Sequence, residues 1–229
     1  SEANTVNVTI PEGKTVPQIA DIWEEAGLCT ADEFLRCCAE LDIPYDYIPA
    51  GEDFNQLEGF LFPETYNVLI TWGAEDLVKL QLAQFDKNWT AERQKLADEQ
   101  GLTVKEIVTL ASLIEREARV ADERPLIASV IYNRLAIGQK LQIDATIQYI
   151  LGEQVDRVLY KDLEIESPYN TYLNAGLPPG AICSPGLSCI DAALNPAETD
   201  YFYYRTKNDG SGEHNFAHTY EEHLQNANK

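Results

Sequence analysis

The chain has 229 residues, enough to bury a real core and to hold one large domain or a small one beside a larger one. Hydrophobic residues at 45% and charged residues at 24% fit a globular protein, and no apolar run in the chain reaches the length that spans a bilayer. A formal charge of -21 repels nucleic-acid phosphates over most of the surface, so no nucleic-acid partner is expected. With no methionine, the chain reads as a processed or truncated piece. Its cysteines lack CxxC spacing, which argues against a zinc site; they read as buried free thiols, although Cys183 and Cys189 flank a Pro-Gly turn.

Val6 to Ile10 alternates apolar and polar residues as a strand does. Pro11-Glu12-Gly13 turns it, and Thr15-Val16-Pro17 opens an amphipathic helix through Ile19, Ile22, Trp23 and Ala26, with Gly27 at the C-cap. A second helix follows Thr30, with Phe34, Leu35 and Cys38 on one face, and Ile43-Pro44-Tyr45 ends it. This strand-helix-helix order, with its IPEGKTVPQIA opening, resembles a LysM-like module, a small fold that grips N-acetylglucosamine chains in other proteins. Ala50-Gly51-Glu52-Asp53 marks the expected boundary. The fold class is therefore α+β, with a LysM-like module over residues 1–52 and a mixed α+β domain over residues 53–229.

In that larger part, Leu57 to Tyr66 (LEGFLFPETY) is expected to form a wall, and one long amphipathic helix is expected from Ala74 to about Glu99. Thr103 and Glu106 have capping-box spacing, and Val104, Ile107, Val108, Ala111, Ile114 and Ala118 repeat at helical period. Leu110 and Leu113 widen the stripe, so this helix is buried on most sides. Into its apolar surface the sequence places Glu115 and Glu117. A carboxylate among Leu and Ile side chains is costly unless it is paired or protonated, and a raised pKa is what a general acid needs. A competing reading pairs one or both glutamates with Arg116, Arg119, Arg124 or Arg134 as structural ion pairs.

A further helix starts near Pro125 and stops at Gly138, and Lys140 to Thr146 reads as a short strand running into a helix capped by Asp144. After Gly152 the chain is dense in Tyr, Asn, Pro and Gly, a composition suited to a polar cleft. A short helix over Ser188 to Leu194 leads to a strand at Tyr201 to Tyr204. Asp209-Gly210-Ser211-Gly212 turns back to His214-Asn215-Phe216, and Thr219 caps a last helix. The three histidines show no metal-ligand pattern, no phosphate loop or GxSxG elbow is present, and no cofactor or metal is expected.

In sequence order, EGFLFPETY, ASLIERE, ERPLIASVIYNRL, LQIDATIQY, YNTY, GLPPG, SPG, ALNPAETDY and a late H-x-F resemble the endolytic murein transglycosylase (YceG-like) family over about Leu57 to His223. The resemblance implies a catalytic part on the outer face of the cytoplasmic membrane, anchored by one N-terminal helix. It also implies cleavage of peptidoglycan between N-acetylmuramic acid and N-acetylglucosamine to leave a 1,6-anhydro end, beside the cell-wall synthases. The family's acid is the second Glu of an E-K-E-T pattern and falls here on Glu117, with Ala118 where Thr is usual. The usual Q-T-D-P-T reads Gln142-Ile143-Asp144-Ala145-Thr146. Periodicity alone places Glu115 nearer the middle of the stripe; the resemblance selects Glu117 and leaves Glu115 to a buried ion pair. Gln142, Asp144, Tyr169, Asn170, Thr171, Tyr172 and His214 are the expected glycan-binding residues. Two alternatives stay open: a muramidase-like hydrolase using Glu117 with Asp144, and a non-catalytic glycan-binding scaffold.

Overall fold

Threonines start both helices of the N-terminal part. In the computed structural model, which describes residues 4–152, 155 and 157–229, Thr15 and Thr30 lie in extended backbone and accept from the amides of Gln18 and Glu33. The Gln18 and Glu33 side chains return a bond to each threonine amide, so two otherwise unpaired donors are satisfied at each start. Helix α1 thus runs over Val16–Glu25 and α2 over Ala31–Glu40. Val16, Ile19, Ala20 and Trp23 form the buried face of α1.

The preceding strand β1, Thr5–Ile10, pairs antiparallel with β2, Glu64–Leu69, setting Thr5 opposite Leu69 and Ile10 opposite Glu64. That ladder crosses the boundary expected at residues 52 and 53, so the two pieces share a sheet rather than meeting at a linker. They share a core as well, in which Val8, Trp23 and Phe34 belong to one cluster with Phe60, Ile107 and Leu113. Polar contacts reinforce the joint. The Trp23 indole donates to Gln81 at 3.0 Å, and the backbones of Gly13 and Lys14 exchange two 2.8 Å bonds with Ser184. The buried Glu58 carboxylate accepts from the Val16 amide at 3.1 Å and from the Tyr149 hydroxyl at 3.2 Å. Burial pushes Glu58 up to about 8, against the pull of those donors.

The helix expected from Ala74 to Glu99 is two helices, α3 over Ala74–Asn88 and α4 over Ala91–Gln100. Trp89 leaves helical geometry to stack on Phe85, with ring centroids 6.0 Å apart, and Thr90 caps the restart by accepting from the Arg93 amide. Helix α5, Val104–Glu117, opens on the Thr103 and Glu106 capping box and is buried along Ile107, Leu110, Leu113 and Ile114. The loop after Phe54–Leu57 crosses it at Gly59. There φ is +91°, and a Cβ would lie 2.6 Å from side-chain atoms of both Ala181 and Val108, so only glycine fits.

Helices α6, Arg124–Ala136, α7, Asp144–Leu151, and α8, Leu187–Leu194, all pack against α5. Strand β3 spans Tyr203–Thr206, two residues later than expected, and pairs with β4, His214–Ala217, as a hairpin. Helix α9, Tyr220–Gln225, follows the Thr219 cap. The segment from Lys140 to Ile143 is irregular rather than a strand. The architecture is thus mixed α+β, helices around α5 with two small antiparallel sheets. The membrane anchoring implied by the resemblance is not supported: no helix among the described residues is long and apolar enough to cross a membrane.

The shared core generates a prediction about truncation. Losing a fully buried Trp or Phe costs about 3–5 kcal/mol each, against a typical total stability of about 5–15 kcal/mol. A chain beginning at Asp53 loses Trp23, Phe34 and the partner of β2, and should show no cooperative urea transition by circular dichroism. A sharp transition near the parent midpoint would show that residues 53–229 fold alone.

Candidate active site

Helix α5 stops at Glu117 because Ala118 turns to extended backbone, φ -77° and ψ 131°. The carboxyl therefore sits on the last residue of a buried helix, at the end where exposed carbonyls disfavour negative charge. It opens into a cavity of about 450 Å³ walled by Glu117, Arg134, Asp144, Tyr172, Tyr204 and His214. Burial, then the nearby Asp144 charge, push Glu117 up to about 7, while Arg116, Arg119 and Arg134 pull it down. Among the described residues no hydrogen bond to its carboxylate contributes to the balance. The group keeps a proton close to neutral pH and has that proton free for a ligand.

The expected roles of Glu115 and Asp144 are corrected. Glu115 accepts from the Gly186 amide at 2.8 Å, and among the described residues no arginine forms an ion pair with it. Asp144 does not cap α7 through its side chain; its carboxylate accepts from the Tyr172 hydroxyl instead. The start of α7 is held by Thr171, whose Oγ1 accepts from the Ile143 amide at 2.9 Å and lies 3.0 Å from the Thr146 hydroxyl. Thr171 also accepts from the Gln142 amide at 3.2 Å. Those bonds hold Gln142 at φ +52°, a left-handed conformation that costs a non-glycine residue about 1–2 kcal/mol.

The structure brings Glu117, Gln142, Asp144, Tyr172 and His214 together around one cavity. It does not bring the other three expected residues there. Thr171 is buried beneath the Gln142 turn, and Asn170, also buried, donates to the Leu163 and Ile165 carbonyls while accepting from the Tyr172 amide. Both shape the loop that carries Tyr172. Tyr169 packs against Tyr149 at 5.1 Å and lines a second cavity, of about 510 Å³, that also reaches Arg116.

Sequence reasoning did not single out Arg134 or Tyr204 as site residues. Arg134 is buried; it donates to the carbonyls of Phe202 at 2.7 Å, Lys140 at 3.2 Å and Leu141 at 2.8 Å, and lies 5.0 Å from the Tyr203 ring centre. Fixed by carbonyls rather than by a carboxylate, it keeps its charge available to the cavity. Burial, then the Glu117 charge, hold the Tyr204 phenol well above its usual range, so it stays a neutral donor. The motif ERPLIASVIYNRL and the Tyr201 to Tyr204 run were the signals for these two residues.

This geometry has relatives. A family model described as the YceG-like family matches residues 1–229. The chain belongs to the YceG-like family. It is 46% identical over 169 residues to an endolytic murein transglycosylase of Bacillus subtilis, covering 73% of this chain and 46% of that protein. It is 34% identical over 221 residues to one of Streptococcus pneumoniae serotype 2, covering 86% of this chain and 40% of that protein. The chain thus spans less than half the length of these two curated relatives. A 2.6 Å crystal structure of a YceG-like protein from Listeria monocytogenes superposes with a TM-score of 0.87 at 36% identity, covering 96% of this chain and 75% of that one.

The raised Glu117 of this YceG-like chain has a consequence for stability. The unfolded carboxyl loses its proton near 4.5, whereas the folded one holds it to about 7. Between those values the native state binds more protons, so Glu117 makes stability fall as pH rises across that window. The variant Glu117→Gln, always neutral, should melt above the parent at pH 8 and level with it at pH 4 in thermal denaturation. A variant melting below the parent at pH 8 would mean that the ionised carboxylate is stabilised by its surroundings.

Proposed function

We propose that this chain is the catalytic part of a lytic transglycosylase that cleaves the N-acetylmuramic acid to N-acetylglucosamine bond of peptidoglycan strands, leaving 1,6-anhydro ends. The observation that carries the reading is a single carboxyl, Glu117, protonated close to neutral pH and opening into a polar, aromatic cavity. The names of the Bacillus and Streptococcus relatives support the same substrate class.

Protonated Glu117 donates to the glycosidic oxygen as the bond to the anomeric carbon breaks. The departing oxygen keeps that proton as the hydroxyl of the released strand. Ionised Glu117 then takes the proton of the C6 hydroxyl as that oxygen bonds to the anomeric carbon, which closes the anhydro ring and restores the acid. The intramolecular nucleophile replaces the water and second carboxylate of a hydrolase. Gln142, Tyr172 and His214 hold the sugars, and Arg116, Arg119 and Arg134 limit how far Glu117 rises. Acting on nascent strands, such an enzyme works beside cell-wall synthases and terminates glycan elongation.

One observation favours a second reading. Asp144 shares the cavity and its charge acts on Glu117, so a hydrolase could use Asp144 to activate water. Digestion of purified strands in ¹⁸O-water separates the two. Unlabelled ends lighter by one water are expected, and ¹⁸O in the new ends would establish hydrolysis. Glu117→Gln should lower the rate by about 10²–10⁴-fold or more, since one group serves as both acid and base. Parent-level cutting by that variant would remove Glu117 from the chemistry.

A further inference from the structure

A buried carboxylate lies behind His214. Glu123 closes the short turn Ala121–Glu123 that joins α5 to α6, and only 8% of its surface is exposed. Its two oxygens accept from the His214 amide at 3.1 and 2.9 Å, and its Oε1 lies 2.8 Å from His214 Nδ1. Among the described residues the basic side chain within reach of this carboxylate is that imidazole. A buried carboxylate is costly unless its lone pairs are satisfied, and here the amide and the imidazole of one residue supply the contacts.

The second contact fixes the ring. A carboxylate only accepts, so Nδ1 carries a proton, and in that tautomer of the imidazole Nε2 keeps its lone pair. The Tyr204 ring meets the imidazole edge-on at 5.4 Å and 88°, which limits its rotation. His214 lines the Glu117 cavity, and Nε2 has no hydrogen-bond partner among the described residues.

We infer that Glu123 is a positioning residue, which holds His214 in the Nδ1–H tautomer so that Nε2 accepts a hydrogen bond from a sugar hydroxyl beside Glu117. This role rests on the glycan-cleaving reading. Glu123→Gln keeps the shape but adds an amide donor that can face Nδ1, which releases the tautomer. His214→Ala removes the ring yet keeps the backbone amide on Glu123. The two variants therefore separate action through the imidazole from support of the strand.

The test is a double-mutant cycle on glycan-strand cutting, together with ¹⁵N NMR of the His214 ring in the parent. Glu123→Gln and His214→Ala should each lower kcat/KM by about 10–100-fold, the scale for losing a carboxylate that orients a functional histidine. The double variant should be no slower than His214→Ala. An unchanged rate in Glu123→Gln, or a further equal loss when it is added to His214→Ala, overturns the role. NMR should show the Nδ1–H form, and an Nε2–H form overturns the inference whatever the rates. A parent that cuts no strands while showing the Nδ1–H form refutes the role toward sugar together with the glycan-cleaving reading, but not the Glu123–His214 pairing.

Discussion

Proton donation by Glu117 depends on one constraint: its carboxyl must be kept from bulk water without being given a fixed partner. A carboxyl on an exposed helix would ionise at an ordinary value, and one locked to an arginine would ionise lower still. Neither could donate a proton near neutral pH. Burying α5 on most sides meets the first requirement, through Ile107, Leu110, Leu113 and Ile114. Ending the helix at Glu117 meets the second, because the side chain leaves the packed stripe and opens into the cavity.

The surrounding residues follow from the same requirement. A cation close by is needed to keep Glu117 from rising too far, yet a direct ion pair would quench it. Arg116 and Arg119, with a smaller pull from Arg134, supply that charge, and Arg134 lines the cavity while spending its donors on the Phe202, Lys140 and Leu141 carbonyls. Thr171 holds the strained Gln142 turn at the cavity wall, and Asn170 fixes the loop that brings the Tyr172 hydroxyl onto Asp144. These buried residues carry out no chemistry themselves; they determine where the groups facing the cavity can be.

What could be read in the sequence was local. Thr15, Thr30, Thr103 and Thr219 mark their helices because a capping bond spans three residues, and the hydrophobic period of α5 lies within one stretch. The break at Trp89 was missed because a ring that stacks in the core keeps the same apolar period as one that continues the helix. The choice between Glu115 and Glu117 could not be made from the helical wheel, since the wheel does not show that Glu115 meets the Gly186 amide of a distant loop while Glu117 lines the cavity. The resemblance made that choice. Arg134 and Glu123 were hidden because their partners are far along the chain: Phe202 for one, His214 for the other. A helix-end arginine and an acidic turn residue look solvated until the β3–β4 hairpin is laid over them. The β1–β2 ladder across Gly51-Glu52-Asp53 was hidden for the same reason, since the strand that pairs with β1 lies far along the chain.

The proposed chemistry turns on the Glu117 proton, and the most direct measurement follows that proton. Side-chain ¹³C carboxyl NMR of uniformly Glu-labelled chain, titrated from pH 3 to pH 9, can be assigned by the signal missing from Glu117→Gln. A Glu117 transition at about 7, well separated from the exposed glutamates, is expected. A transition near 4.5, the ordinary glutamate value, would contradict it.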